Sequence, residues 1–167
     1  DAGDGAVFFN ANIGDTQRLN DLTVDRADAG VTFGAAGPVT SVATDGAIDI
    51  GSGTTDDDVI TAGIVLNGAA TGISFQTSSD TIRLNGPVTL NSDVSFDTVN
   101  ADVTFTNDAS IDGQAGENNG LTINAGTASV LFNKNIGETL AVGNLVIERA
   151  DAGVFFGEAT AAMLDGT

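Results

Sequence analysis

Short apolar triplets with a polar or variable centre recur along the whole chain. They are Val7-Phe8-Phe9, Leu22-Thr23-Val24, Val31-Thr32-Phe33, Ile48-Asp49-Ile50, Ile64-Val65-Leu66, Ile73-Ser74-Phe75 and Ile82-Arg83-Leu84. The series goes on with Val88-Thr89-Leu90, Val94-Ser95-Phe96, Val103-Thr104-Phe105, Leu121-Thr122-Ile123, Val130-Leu131-Phe132, Leu145-Val146-Ile147 and Val154-Phe155-Phe156. In-out-in spacing with β-branched or aromatic ends predicts strands of three or four residues, each burying one face. Gly, Asn, Asp and Ser fill the gaps, including Asn67-Gly68, Asn85-Gly86 and Asn119-Gly120, where positive φ is tolerated and the chain turns sharply. Phe9, Phe33, Phe75, Phe96, Phe105, Phe132 and Phe156 hold third positions of triplets. They are expected to point inward and to stack in part as a ladder.

A longer order lies over the triplets. Residues Val7 to Ala36 return as Val130 to Ala159 at an offset of 123 residues, without a gap and with 17 of 30 positions identical. A fixed offset without insertion marks a repeat array. The match extends back to Asp1-Ala2-Gly3 against Asn124-Ala125-Gly126. Residues 1–167 therefore read as a single β-solenoid segment, about one and a third copies of a 123-residue repeat, within a longer array or a filament of stacked subunits. Val7 and Phe9 are expected to point inward, with Val130 and Phe132 in the same core setting.

Many short strands with frequent turns fit a β-sandwich or a β-solenoid. A sandwich needs longer strands and gives no reason for a long exact repeat. The prediction is an all-β fold, a right-handed parallel β-helix with two or three strands in each rung of roughly 18–24 residues. At ~4.8 Å per rung, seven to nine rungs make a rod about 35–45 Å long.

The phrases LTINAGTASVLFNKNIGETLAVGNLVIERADAGVFFG and IVLNGAATGISFQTSSDTIRLNGPVTLNSDVSF resemble the β-strand repeats of giant bacterial surface proteins, the filamentous-haemagglutinin-like and autotransporter-type adhesins. The resemblance covers most of the chain. It implies a secreted, cell-surface or extracellular stalk with adhesive or scaffolding work and no catalytic residues. The acidity of this chain departs from that pattern.

Five basic against 23 acidic residues give a net charge of −18, which repels nucleic acid and anionic head groups. No run approaches a membrane span, and no basic stretch opens the window, so direct membrane insertion is not expected and any targeting signal is expected outside it. Without Cys, neither a disulfide nor a thiolate metal site can form.

Without His, Cys, Tyr or Trp, site chemistry rests on carboxylates and cations. The densest acidic run, Asp56-Asp57-Asp58, follows Gly51-Ser52-Gly53-Thr54-Thr55 and reads first as a solvated loop. Its alternatives are a calcium site, since hard cations take six to eight oxygens, and a pair of acids for glycoside hydrolysis. The nonapeptide pattern of calcium-binding β-rolls is not there. Arg26/Asp28 recurs as Arg149/Asp151 within R-A-D-A-G. The pairs are expected to be structural corners before Gly30 and Gly153, with a recurring contact point for another molecule as the alternative. Lys134, between Asn133 and Asn135, is expected to be exposed. Thr23, Thr32, Ser74, Thr89, Ser95, Thr104 and Thr122 at triplet centres read as solvated strand faces rather than an ice-binding array.

These readings lead to a non-catalytic extracellular structural or adhesive protein, the shaft of a surface adhesin or the building block of a filament. Its expected partners are further copies of itself stacked head to tail, with surface glycans or other cells beyond. No cofactor is expected except calcium. The alternative is a carbohydrate-active or carbohydrate-binding β-helix that uses surface carboxylates.

Overall fold

Each triplet forms one strand because its two ends share a side and its centre faces away, and a strand this short buries its inner face only when others lie above and below it. The computed structural model, which describes residues 1–37, 39–52 and 58–157, meets that need as a parallel β-solenoid of about six turns. The first sheet contains β1 (Val7–Phe9), β3 (Val31–Phe33), β6 (Ile64–Leu66), β9 (Val88–Leu90) and β12 (Ile111–Asp112). The second contains β4 (Ser41–Ala43), β7 (Ile73–Gln76), β10 (Val94–Asp97), β13 (Leu121–Gly126) and β15 (Leu145–Ala150). The third contains β2 (Leu22–Val24), β5 (Ile48–Ile50), β8 (Ile82–Leu84), β11 (Val103–Phe105), β14 (Ser129–Phe132) and β16 (Gly153–Phe156). The chain visits the three sheets in turn, and all neighbouring strands are parallel. Ile13 and Ile136 each stand in for a strand, as single bridges to Val42 and Ile111.

Every triplet is a strand. β4 and β12 fall outside the triplet pattern because each gives the core a single large apolar residue, Val42 or Ile111. Rungs are fewer than expected, because several of them are longer than the expected range while the others fall within it. The offset between paired strands runs from 21 residues, Ile73 to Val94, to 34 residues, Ile48 to Ile82. Three strand positions with a corner after each need more chain than two, so six rungs at ~4.8 Å stand roughly 30 Å tall.

Inside, the inward ends of the triplets make one continuous core. The seven phenylalanines form a continuous ladder of ring contacts, Phe9–Phe33–Phe75–Phe96–Phe105–Phe132–Phe156, stacked except at the edge-on pairs Phe33–Phe75 and Phe96–Phe105, with ring centroids 4.7 to 5.8 Å apart. The ladder starts on the first sheet, passes to the second at Phe75 and reaches the third at Phe105. Burial of each enclosed ring contributes about 1.5–3 kcal/mol. At the corner after the second sheet, Thr44, Thr77 and Thr98 are buried on successive rungs. Their hydroxyls donate to the carbonyls of Gly46, Asp80 and Ala101, which satisfies groups that are costly to bury unpaired.

The repeat does not coincide with a whole number of turns. β1, β2 and β3 return 123 residues later as β14, β15 and β16, and Ile13 returns as Ile136. With the Ile13 bridge counted as a strand position, β14 comes fourteen positions after β1, or four and two-thirds turns at three positions each. Each repeated strand therefore moves to a different sheet. Val7 and Phe9 do face inward, but from the first sheet and half-buried, whereas Val130 and Phe132 are buried in the third. The expected identity of setting is not met among the described residues, where β1 pairs with β3 alone and β14 lies between β11 and β16.

Candidate functional site

The two R-A-D-A-G corners fold alike. Arg26 donates through Nε to Asp28 Oδ1 at 2.8 Å and through Nη2 to Asp28 Oδ2, and it also reaches Asp4 at 3.1 Å. Arg149 holds Asp151 by the same fork. Both corners sit on the preceding rung through matching backbone bonds, Asp28 N to Gly3 O and Asp151 N to Gly126 O, each 2.9 Å. The hydrogen bond from each arginine holds the Asp28 and Asp151 carboxyls below the ordinary aspartate range, and Asp151 in turn raises Arg149. Arg26 and Asp28 turn the chain from the third sheet to the first, whereas Arg149 and Asp151 turn it from the second to the third. The pairs thus lie on different edges of the prism and do not form a column that one flat partner surface meets.

Part of the acidity is used between rungs. Asp21 accepts from Ala47 N at 2.9 Å, Asp93 from Gly120 N at 2.7 Å, Asp102 from Ser129 N at 2.8 Å and Asp112 from Thr139 N at 2.9 Å. Asn10, Asn12 and Asn100 do the same for Ala36, Thr40 and Thr127. Each clip joins residues 26 to 28 apart, one rung of chain. No sequence signal marks these residues, because every non-proline residue offers a backbone N–H and the triplet pattern does not say which strand lies on which.

Asp56 and Asp57 lie outside the described residues, and Asp58 is half-buried at the edge of that segment. Among the described residues no group of three or more acidic side chains is gathered for a metal ion. Lys134 is exposed. It lines a cavity of about 490 Å³ with Asn133, Asn135, Ile136 and the rings of Phe132 and Phe156.

Asp93 is the acid around which grooves meet. On the second sheet, a groove of about 190 Å³ is lined by Thr40, Ser74, Ser95, Thr122 and Asp93. Ser74, Ser95 and Thr122 stack in direct register there. Around the corner, Asn91, Ser92, Asp93, Glu117 and Asn119 line a second groove of about 240 Å³. Hydroxyls, amides and carboxylates in this trough suit hydrogen bonding to a polyhydroxylated ligand. The other triplet centres make mixed columns, with Val65 between Thr32 and Thr89, and Asp49 and Arg83 between Thr23 and Thr104.

The class defined by these features is a three-sided parallel β-solenoid built from an internal repeat. No family model matches the chain, and neither a curated protein nor a solved structure does.

Proposed function

We propose that the chain is a stretch of a non-catalytic shaft, carried outside the cell as part of a surface adhesin or as the body of an extracellular filament. Uniformity along the axis is the observation that supports this reading. Three sheets run with one architecture through the described residues, the core is one continuous cluster, and acids and arginines hold corners together. A shaft needs such sameness, whereas a catalytic site needs one place where titratable groups converge in a cleft. The likeness of the strand phrases to bacterial adhesin repeats supports the extracellular placement. Electron microscopy of native material, with protease shaving of intact cells, tests both parts. Rods many times longer than roughly 30 Å that shaving removes are expected, and discrete particles one rod long would overturn the reading.

The trough around Asp93 favours a second reading, a carbohydrate-binding surface along the same rod. Glycan-array binding that Asp93→Ala abolishes is its expected signature. An array without any retained glycan removes it.

A further inference from the structure

Three inward side chains recur in both copies of the repeat with opposite exposure. Leu22, Val31 and Phe33 are 9, 0 and 0% exposed, whereas Leu145, Val154 and Phe156 are 38, 37 and 67% exposed. The strands are equivalent, and what differs is the next rung. In the first copy β5 covers β2, β6 covers β3, and Val42 of β4 bridges to Ile13. The rim made by Ile136, β15 and β16 has no strand beyond it among the described residues. One glycine carries the same mark. Gly34 is left-handed (φ 79°), and a Cβ there would meet Asn67 O of the covering rung at 1.8 Å. Gly157, its equivalent, keeps the left-handed turn (φ 95°) although a Cβ there would meet nothing within 4 Å. An uncrowded position keeps a glycine suited to a close neighbour.

We infer that the rim of Ile136, β15 and β16 is a docking edge for a further copy of this same repeat, whose residues corresponding to Ser41–Leu66 lie on it in parallel register. This rests on the shaft reading and names its partner and register. The partner positions follow from the first copy, where Thr23 faces Asp49 and Thr32 faces Val65. Val146, equivalent to Thr23, then faces the incoming copy of Asp49, and Phe155, equivalent to Thr32, faces the copy of Val65. Each added copy enters fourteen strand positions after the last, so features shared by successive copies pass from sheet to sheet around the rod.

The chain has no cysteine, so engineered pairs report this register directly. The full chain is carried on from Thr167, equivalent to Thr44, with a copy of residues 45–129, which keeps the 123-residue phase. Facing positions on adjacent strands, ~4.8 Å apart, fall within the span a disulfide bridges. Val146→Cys with a cysteine at the copy of Asp49 is expected to shift most of the chain to the crosslinked band on mild oxidation. Phe155→Cys with a cysteine at the copy of Val65 is expected to do the same, while Val146→Cys with the copy of Arg83, one rung further, stays reduced. Small-angle scattering of the cysteine-free extended chain separates the two levels. A lengthened rod in which neither facing pair closes overturns the register and leaves the shaft reading standing. A chain that does not lengthen overturns both.

Discussion

Phe33 and Phe156 are one residue of the repeat in two environments. Phe33 is enclosed between Phe9 and Phe75, while Phe156 lies against Phe132 with no second ring among the described residues and is largely exposed. The same contrast runs through Leu22 and Leu145, and through Val31 and Val154. Strand sequence therefore sets which way a side chain points, and the neighbouring rung sets how much that orientation is worth. A solenoid of this kind gains its stability at the boundaries between rungs.

The sharpest way to break the comparison is to remove both rings. Phe33→Ala is expected to cost about 3–5 kcal/mol, through lost burial and the cavity left behind. Phe156→Ala is expected to cost about 0.5–1.5 kcal/mol, the worth of one stacked aromatic pair. Chemical denaturation of both variants checks the difference, and equal losses would mean that the last rung is covered in solution.

Glycines give a smaller contrast. Gly34→Ala and Gly157→Ala both force a left-handed backbone on a residue with a Cβ, at about 1–2 kcal/mol. Only at position 34 does the new methyl meet the next rung's backbone, which adds about 1–3 kcal/mol of overpacking. Melting temperatures of the pair should therefore fall unequally, Gly34→Ala furthest.

Smaller again is the response to salt. A rod carrying −18 repels itself, so sodium chloride should raise the melting temperature as the screening length drops toward ~10 Å at 0.1 M. Calcium at equal ionic strength is expected to match sodium. Extra stabilisation by sub-millimolar calcium would point back to Asp56, Asp57 and Asp58.

The smallest effect belongs to the arginine corners. Asp28 and Asp151 have lowered pKa values when folded, so at pH values between the folded and unfolded values the unfolded chain binds more protons. Their stabilisation is present above the ordinary aspartate value and is lost as pH falls through the lowered one. The gap in melting temperature between the parent and Asp28→Asn should hold steady from neutral pH to about 5 and close below about 4. The Asp151→Asn gap should follow the same course, and a gap that widens in acid would reverse the assignment.

Strands and their inward faces were legible because two apolar ends around a polar centre leave one workable orientation. The phenylalanine ladder was legible for the same reason, since all seven rings hold equivalent triplet positions. β4, β12 and the Ile13 and Ile136 bridges were not, because one inward residue makes no pattern. Rung length also escaped the triplets, because near-uniform strand spacing does not say which strand lies above which. In the fold Asp21, Asp93, Asp102 and Asp112 each span one rung, 26 or 27 residues, to the backbone N–H that they hold. On sequence alone they look like ordinary solvated acids. The Arg26/Asp28 and Arg149/Asp151 corners were found from their recurrence, but their placement on different edges depended on the count of strands per turn.

The fractional period also bears on how such a chain avoids misfolding. Tandem copies of one sequence invite mispairing, because a strand that finds the wrong twin is held almost as well as one that finds its own partner. Here β1 and its twin β14 are never neighbours across a rung boundary, and they belong to different sheets. A slip by a whole repeat also rotates the rod by two-thirds of a turn. The two copies of a repeated strand are thus kept on different sheets while the chain winds up, by the arithmetic of fourteen strand positions on three sheets.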